Sequence, residues 1–152
     1  MVILLVLIGS SCSEKKKEST VVVPQNISRK ILEFHKNGKP KVVELYADEN
    51  GKKVIVGLEE LYEEGQIKIK GAYNEKHQRQ GVWKSFYVDG TQWSVGEYDN
   101  GVENGEKKVW YPNGKLRYQG DIKNGKPVGI WTFWDEIGRH TSELQSRGHL
   151  VC

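Results

Sequence analysis

Residues able to do chemistry are present in this chain of 152 residues, but their spacing does not bring them together for it. The four histidines, His35, His77, His140 and His149, are scattered, and none belongs to a metal-ligand spacing with Cys or a carboxylate. Glu59-Glu60 and Glu63-Glu64 are neighbours in sequence. Adjacent residues of a strand face opposite ways, so neither pair makes an acid and base couple. No Gly-x-Ser-x-Gly elbow occurs, and no glycine loop opens a helix to cradle phosphate. The reading is a protein that is not an enzyme and uses no metal or cofactor. What stands out instead is aromatic. Trp83, Trp93, Trp110, Tyr111, Trp131 and Trp134 are large rings with polar edges, suited to covering a neighbour or stacking on a ligand, and they form the candidate binding surface. A net charge of +3 is too weak to indicate nucleic acid.

One cysteine carries a different chemistry. Met1 to Ile8 is an apolar run too short to span a bilayer as a helix, which needs about 20 residues, and Gly9-Ser10-Ser11 follows it directly before Cys12. Small residues before a cysteine resemble the lipobox of bacterial lipoproteins, although Leu7 stands two places too early and no Lys or Arg precedes the apolar run. The competing reading is a buried first strand. The lipoprotein resemblance implies that residues 1–11 are a signal peptide and that Cys12 becomes an acylated N-terminus. Its acyl chains would then gain about 0.8 kcal/mol per buried methylene. Residues 12–29 then read as a tether: Glu14 and Glu18 bracket Lys15, Lys16 and Lys17, without apolar periodicity. Cys152 would be the one thiol left, so a disulfide is not a design element.

The aromatic residues are positioned by a repeat. Gly65, Gly90, Gly114 and Gly138 recur at spacings of 25, 24 and 24 residues, and two further series, Gly71, Gly96, Gly120 and Gly81, Gly105, Gly129, keep step with them. Before the first series stand Tyr62-Glu63-Glu64, Tyr87-Val88-Asp89 and Tyr111-Pro112-Asn113, with His35-Lys36-Asn37-Gly38 a fainter cousin. Asn-Gly and Asp-Gly tolerate positive φ at both central positions, so each is read as a tight hairpin turn, and the stretch after the second strand as a polar loop. Ile67, Ile69, Gly71 and Tyr73 alternate onto one face, as do Leu116, Tyr118, Gly120 and Ile122. The middle unit holds Gln92, Ser94, Gly96 and Tyr98 there, with Trp93 and Val95 pointing the other way. A bulge, simple drift of the repeat, or an aromatic site on the outer face each account for this. Aromatics on both faces are read first as the ladder holding a thin sheet together, and second as a ligand platform.

Tyr111-Pro112-Asn113-Gly114-Lys115-Leu116, continued by Tyr118-Gln119-Gly120-Asp121-Ile122-Lys123-Asn124-Gly125 and Val128-Gly129-Ile130-Trp131, resembles the bacterial variant of the MORN repeat. That resemblance implies an all-β fold, an elongated single-layer antiparallel sheet of stacked hairpins. Residues 58–142 carry the repeats, residues 30–57 a degenerate first unit, with strands around Asp48-Glu49-Asn50-Gly51, and residues 143–152 a tail. Two strands per unit at about 4.8 Å make each unit advance roughly 10 Å, for a plate of about 40–50 Å. The function expected is a membrane-anchored scaffold in the bacterial envelope, periplasmic or on the outer surface, that holds a protein partner. Resemblance to the YwqK-type antitoxin repeat family implies a toxin as that partner. The alternative is binding of cell-wall glycan through the exposed aromatics.

Overall fold

A computed structural model describes residues 26–146, save the side chain of Ser146. The expected signal segment, Cys12, most of the tether, His149 and Cys152 lie outside the described residues. Within them every regular element is a strand: β1 (Ile27–Phe34), β2 (Pro40–Glu49), β3 (Lys52–Leu61), β4 (Ile67–Tyr73), β5 (Arg79–Phe86), β6 (Gln92–Asp99), β7 (Val102–Trp110), β8 (Leu116–Lys123), β9 (Lys126–Trp134) and β10 (His140–Ser146). They form one antiparallel sheet in sequence order, each strand pairing only with its chain neighbours. The expected single-layer sheet of stacked hairpins is what the chain builds. The structure places the start of the sheet earlier than the sequence does, because Ile27 to Arg29 already pair with Ala47 to Leu45.

Two kinds of turn alternate, and their assignment corrects the sequence reading. At one end, Tyr111 N bonds Lys115 O at 2.8 Å and Gly114 N bonds Tyr111 O at 2.9 Å, and the same pair of bonds closes the turns at His35, Tyr62, Tyr87 and Asp135. Here only the glycine is left-handed, with φ of +81, +103, +86, +78 and +88° at Gly38, Gly65, Gly90, Gly114 and Gly138. This is the longer hairpin loop in which one left-handed residue follows a type I turn. The two-residue turns with positive φ at both positions lie at the opposite end, at Asn50-Gly51, Asn100-Gly101 and Asn124-Gly125. The stretch expected to be a polar loop is therefore strand: Glu103, Asn104 and Gly105 belong to β7.

The three in-phase glycine series serve different ends. Gly81, Gly105 and Gly129 are left-handed inside strands. They lie where four residues of β5, β7 and β9 span two of the strand before, as in Lys70↔Lys84 against Ala72↔Gln80. These are the bulges that bend each unit onto the last. Gly71 and Gly120 instead lie under tryptophan rings: a Cβ there would fall 2.2 Å from Trp83 and 2.4 Å from Trp131. The middle unit does not slip. Trp83 pairs with Gly96 and Ser85 with Ser94, which keeps Ser94 and Gly96 on the face of Ile69, Val109 and Tyr118. The single-residue shift at Phe86↔Gln92 recurs at Leu61↔Ile67 and Trp110↔Leu116, so it is a property of every such hairpin.

A sheet with no second layer has little interior. Among the described residues only Val43, Ala47, Trp83, Val109 and Ile122 are buried apolar side chains.

Candidate functional site

Pairing across strands fixes which side chains share a face. One row runs Ile69, Ser85, Ser94, Val109, Tyr118, Phe133, Ser142 across β4 to β10, and Trp83, Gly96, Lys107 and Gly120 lie beside it on that face. The opposite face carries Glu59, Lys70, Lys84, Val95, Lys108, Gln119 and Thr132 in line. The first face is an aromatic ridge and the second a largely polar surface.

The six rings proposed from sequence divide between packing and exposure. Trp83 is 4% exposed; it lies flat over Gly71, its Nε1 donates to Ala72 O at 3.0 Å, and Tyr73 and Tyr98 flank it at 5.4 and 6.2 Å. The Arg79 guanidinium covers it at 4.3 Å. Burying such a ring contributes a few kcal/mol, which makes it a structural residue. Trp131 repeats the arrangement over Gly120 beside Tyr118, although its buried Nε1 finds no acceptor. In the unit between, Lys107 takes the tryptophan's place over Gly96 and pairs with Glu103 at 2.5 Å. Trp110 and Trp134 are half-buried at the long-turn end, Trp134 meeting His140 edge-on at 6.3 Å. Trp93 stands apart: it is 44% exposed and leans on Tyr87 at 6.3 Å.

Tyr111 belongs to a device that sequence reasoning missed. Its hydroxyl donates to Trp134 O at 3.0 Å, as Tyr87 does to Trp110 O and Tyr62 to Phe86 O, both at 2.9 Å. His35 Nε2 meets Leu61 O at 2.9 Å in the same position. Each turn thus reaches one unit forward and holds the next. The signal was in plain view, since Tyr62, Tyr87 and Tyr111 recur with the glycine beat. Burial raises the Tyr87 hydroxyl above its ordinary pKa, with smaller opposing and reinforcing effects from Arg117, Asp89 and Tyr62. At the last turn Asp135 replaces the tyrosine and folds back, accepting from Ile137 N and Arg139 N and pairing with Arg139 Nε at 2.9 Å. The Arg139 backbone N–H, ahead of its side chain, holds that carboxyl below its usual value. The turn glycines Gly65, Gly90, Gly114 and Gly138 are the corners from which these links project.

Ties also join the short-turn end, where Gly101 N bonds Arg79 O and Gly125 N bonds Glu103 O, each at 2.9 Å. Among the described residues no group of three His, Cys, Asp or Glu is placed to hold a metal ion, and no helix is long and apolar enough to cross a membrane.

Residues 103–124 match the MORN repeat variant family. They take in most of β7, the turn at Tyr111 to Gly114 and all of β8, ending inside the Asn124-Gly125 turn, which is one hairpin of the sheet. The hairpins on either side, β5–β6 and β9–β10, share its turn bonds and the bulges at Gly81 and Gly129, and the first of them shares its forward tyrosine link. No curated protein and no solved structure matches the chain.

Proposed function

We propose that the protein is a non-enzymatic scaffold, anchored to a bacterial membrane through an acylated Cys12, that holds a protein partner against its plate of hairpins. A MORN repeat suggests a repeat-based binding or scaffold module. The observation that carries the reading is the run of forward links from His35, Tyr62, Tyr87 and Tyr111, which fixes successive hairpins in one orientation. A surface held in place before contact loses little further entropy on binding, so a broad, shallow face becomes usable. The finer proposal is that the partner is a toxin and that the protein neutralises it at the envelope.

The test uses the full chain in a bacterial host. Mass spectrometry of the membrane fraction is expected to find a mature chain beginning at acylated Cys12, with Cys12→Ala left unprocessed. Cross-linking of the wild-type chain is expected to recover one protein partner in defined stoichiometry. A mature chain that keeps Met1 and stays in the soluble fraction contradicts the anchor, and failure to capture any partner contradicts the scaffold.

A second reading rests on Trp93, the one tryptophan among the described residues that is largely open to solvent. An exposed indole beside Tyr87 suits stacking of a sugar ring. Cell-wall fragments should then quench tryptophan fluorescence in the wild type and not in Trp93→Ala; absence of quenching at millimolar ligand removes this reading.

A further inference from the structure

At the short-turn end of the sheet a cleft of about 860 Å³ opens between the β2–β3 turn and the β4–β5 loop. This volume lies in the range of ligand-sized clefts, about 300–1,000 Å³. Val54, Ile55 and Val56 of β3 line it together with the rings of Tyr46 and Tyr73. The cleft sits where the array departs from its own pattern. Asn50-Gly51, Asn100-Gly101 and Asn124-Gly125 close their strand pairs with two residues, whereas Asn74 to Gln78 forms a longer loop with the bonding of the opposite end, Asn74 N to Gln78 O and His77 N to Asn74 O. His77 occupies the left-handed position there at φ +57°, the one described residue in that region that is neither Gly nor Asn. Unfavourable backbone geometry kept at a concave site is a pointer to use of that site.

The groups around the cleft differ in what they have left to offer. Asn74 Oδ1 accepts from the backbone of Lys76 and Gln78, and its Nδ2 donates to Asn100 Oδ1 at 3.0 Å. The Tyr46 hydroxyl donates to Glu44 at 2.5 Å. Lys52 faces Glu49, and Lys53 faces Asp48, across the β2–β3 pair, yet neither makes an ion pair among the described residues, and nor does Lys76. Three ammonium groups and the His77 imidazole therefore meet two lining carboxylates, Glu49 and Glu75, over an apolar wall.

We propose that this cleft takes an acidic, extended peptide segment of the partner protein, with carboxylates on Lys53 and Lys76, an apolar side chain against Ile55, which shares the face of Lys53, and Lys52 adding positive charge from the other face. This rests on the protein-binding reading above and names the chemistry of the partner. Charged donors left unpaired gain most from a ligand that brings the opposite charge, and such matching sets specificity more than area does.

The test is a titration of the isotope-labelled full chain, followed by amide chemical shifts, with a hexapeptide alternating Glu and Leu. The expected result is saturable shifts at Val54, Ile55, Val56 and His77, with affinity falling at least tenfold in K52E/K53E/K76E and unchanged in Lys126→Glu, which lies at a distant turn. Lys76→Glu alone, in a loop, serves if the triple variant loses its fold and should weaken binding several-fold. No saturable shift at millimolar peptide, or an equal response to a Lys and Leu hexapeptide, overturns the proposal. So does a stronger response to polygalacturonate or to anionic phospholipid vesicles. A cross-linked partner that binds the triple variant as well as wild type overturns the cleft alone and leaves the scaffold standing.

Discussion

A single hydrogen atom at Gly71 decides whether Trp83 can lie on the sheet. A Cβ there would sit 2.2 Å from the indole and 2.4 Å at the equivalent Gly120 beneath Trp131. Gly71→Ala should therefore destabilise by about 1–3 kcal/mol through overpacking, measured by chemical unfolding; an unchanged midpoint would mean the ring does not pack there. His77→Gly should act oppositely. Relief of left-handed strain is worth about 1–2 kcal/mol, against about 0.5–1 kcal/mol for the freer unfolded chain, so a net gain of about 0–1.5 kcal/mol is expected in the same assay. The glycine beat was fully legible in the sequence, and it located all three series. It could not sort them, because the same letter answers to a left-handed corner at Gly114, a strand bulge at Gly105 and a close approach at Gly120. Only the neighbours distinguish these roles. Trp83 illustrates the same limit: alternation placed it on a face, while the strand packed against it made it a packing residue.

At the level of hairpins, the forward tyrosine links fasten successive units of the backbone-paired sheet to one another. Each is a neutral hydrogen bond in a half-buried setting, so Tyr62→Phe, Tyr87→Phe and Tyr111→Phe should each lose about 0.5–1.5 kcal/mol. The three losses should be nearly additive, since the sites do not touch; a loss confined to one of them would mean the ladder is not shared. Tyr87 also gives a pH dependence. Burial raises its hydroxyl above the ordinary value of 10.0, so the folded chain favours the neutral, donating form. The stability this supplies is fully present below about pH 10 and falls as pH climbs through the raised value. Thermal melts at alkaline pH should show that decline in wild type and less of it in Tyr87→Phe. Most strands and their faces were readable from the sequence, down to the decayed first unit around Asn50-Gly51, whereas the start of β7 was expected as loop and β10 runs to Ser146, four residues into the expected tail. The turn types were exchanged because Asn-Gly suits both a two-residue turn and the left-handed close of a longer loop. Loop length is set by which residues pair, and pairing is a property of two strands together.

For the molecule as a whole, repeated docking between successive hairpins, and not a central core, makes the fold. The buried apolar side chains are few, and every strand pairs only with its neighbours in sequence, so stability should divide into unit and interface contributions. The shape was implied by the period; the cleft was not, because it arises from a break in the period at Asn74 to Gln78 whose consequence appears only beside β3. The most direct measurement removes one unit in phase. Deleting the 24 residues from Thr91 to Gly114 joins Gly90 to Lys115, so that β5 meets β8 across an intact turn, Trp83 faces Gly120, and Tyr87 reaches Trp134 O in place of Trp110 O. The shortened chain should unfold cooperatively, and small-angle scattering should show its long dimension reduced by roughly 10 Å, two strand spacings. A chain that cannot fold after this in-phase deletion, or one whose long dimension is unchanged, would contradict an array of interchangeable hairpins.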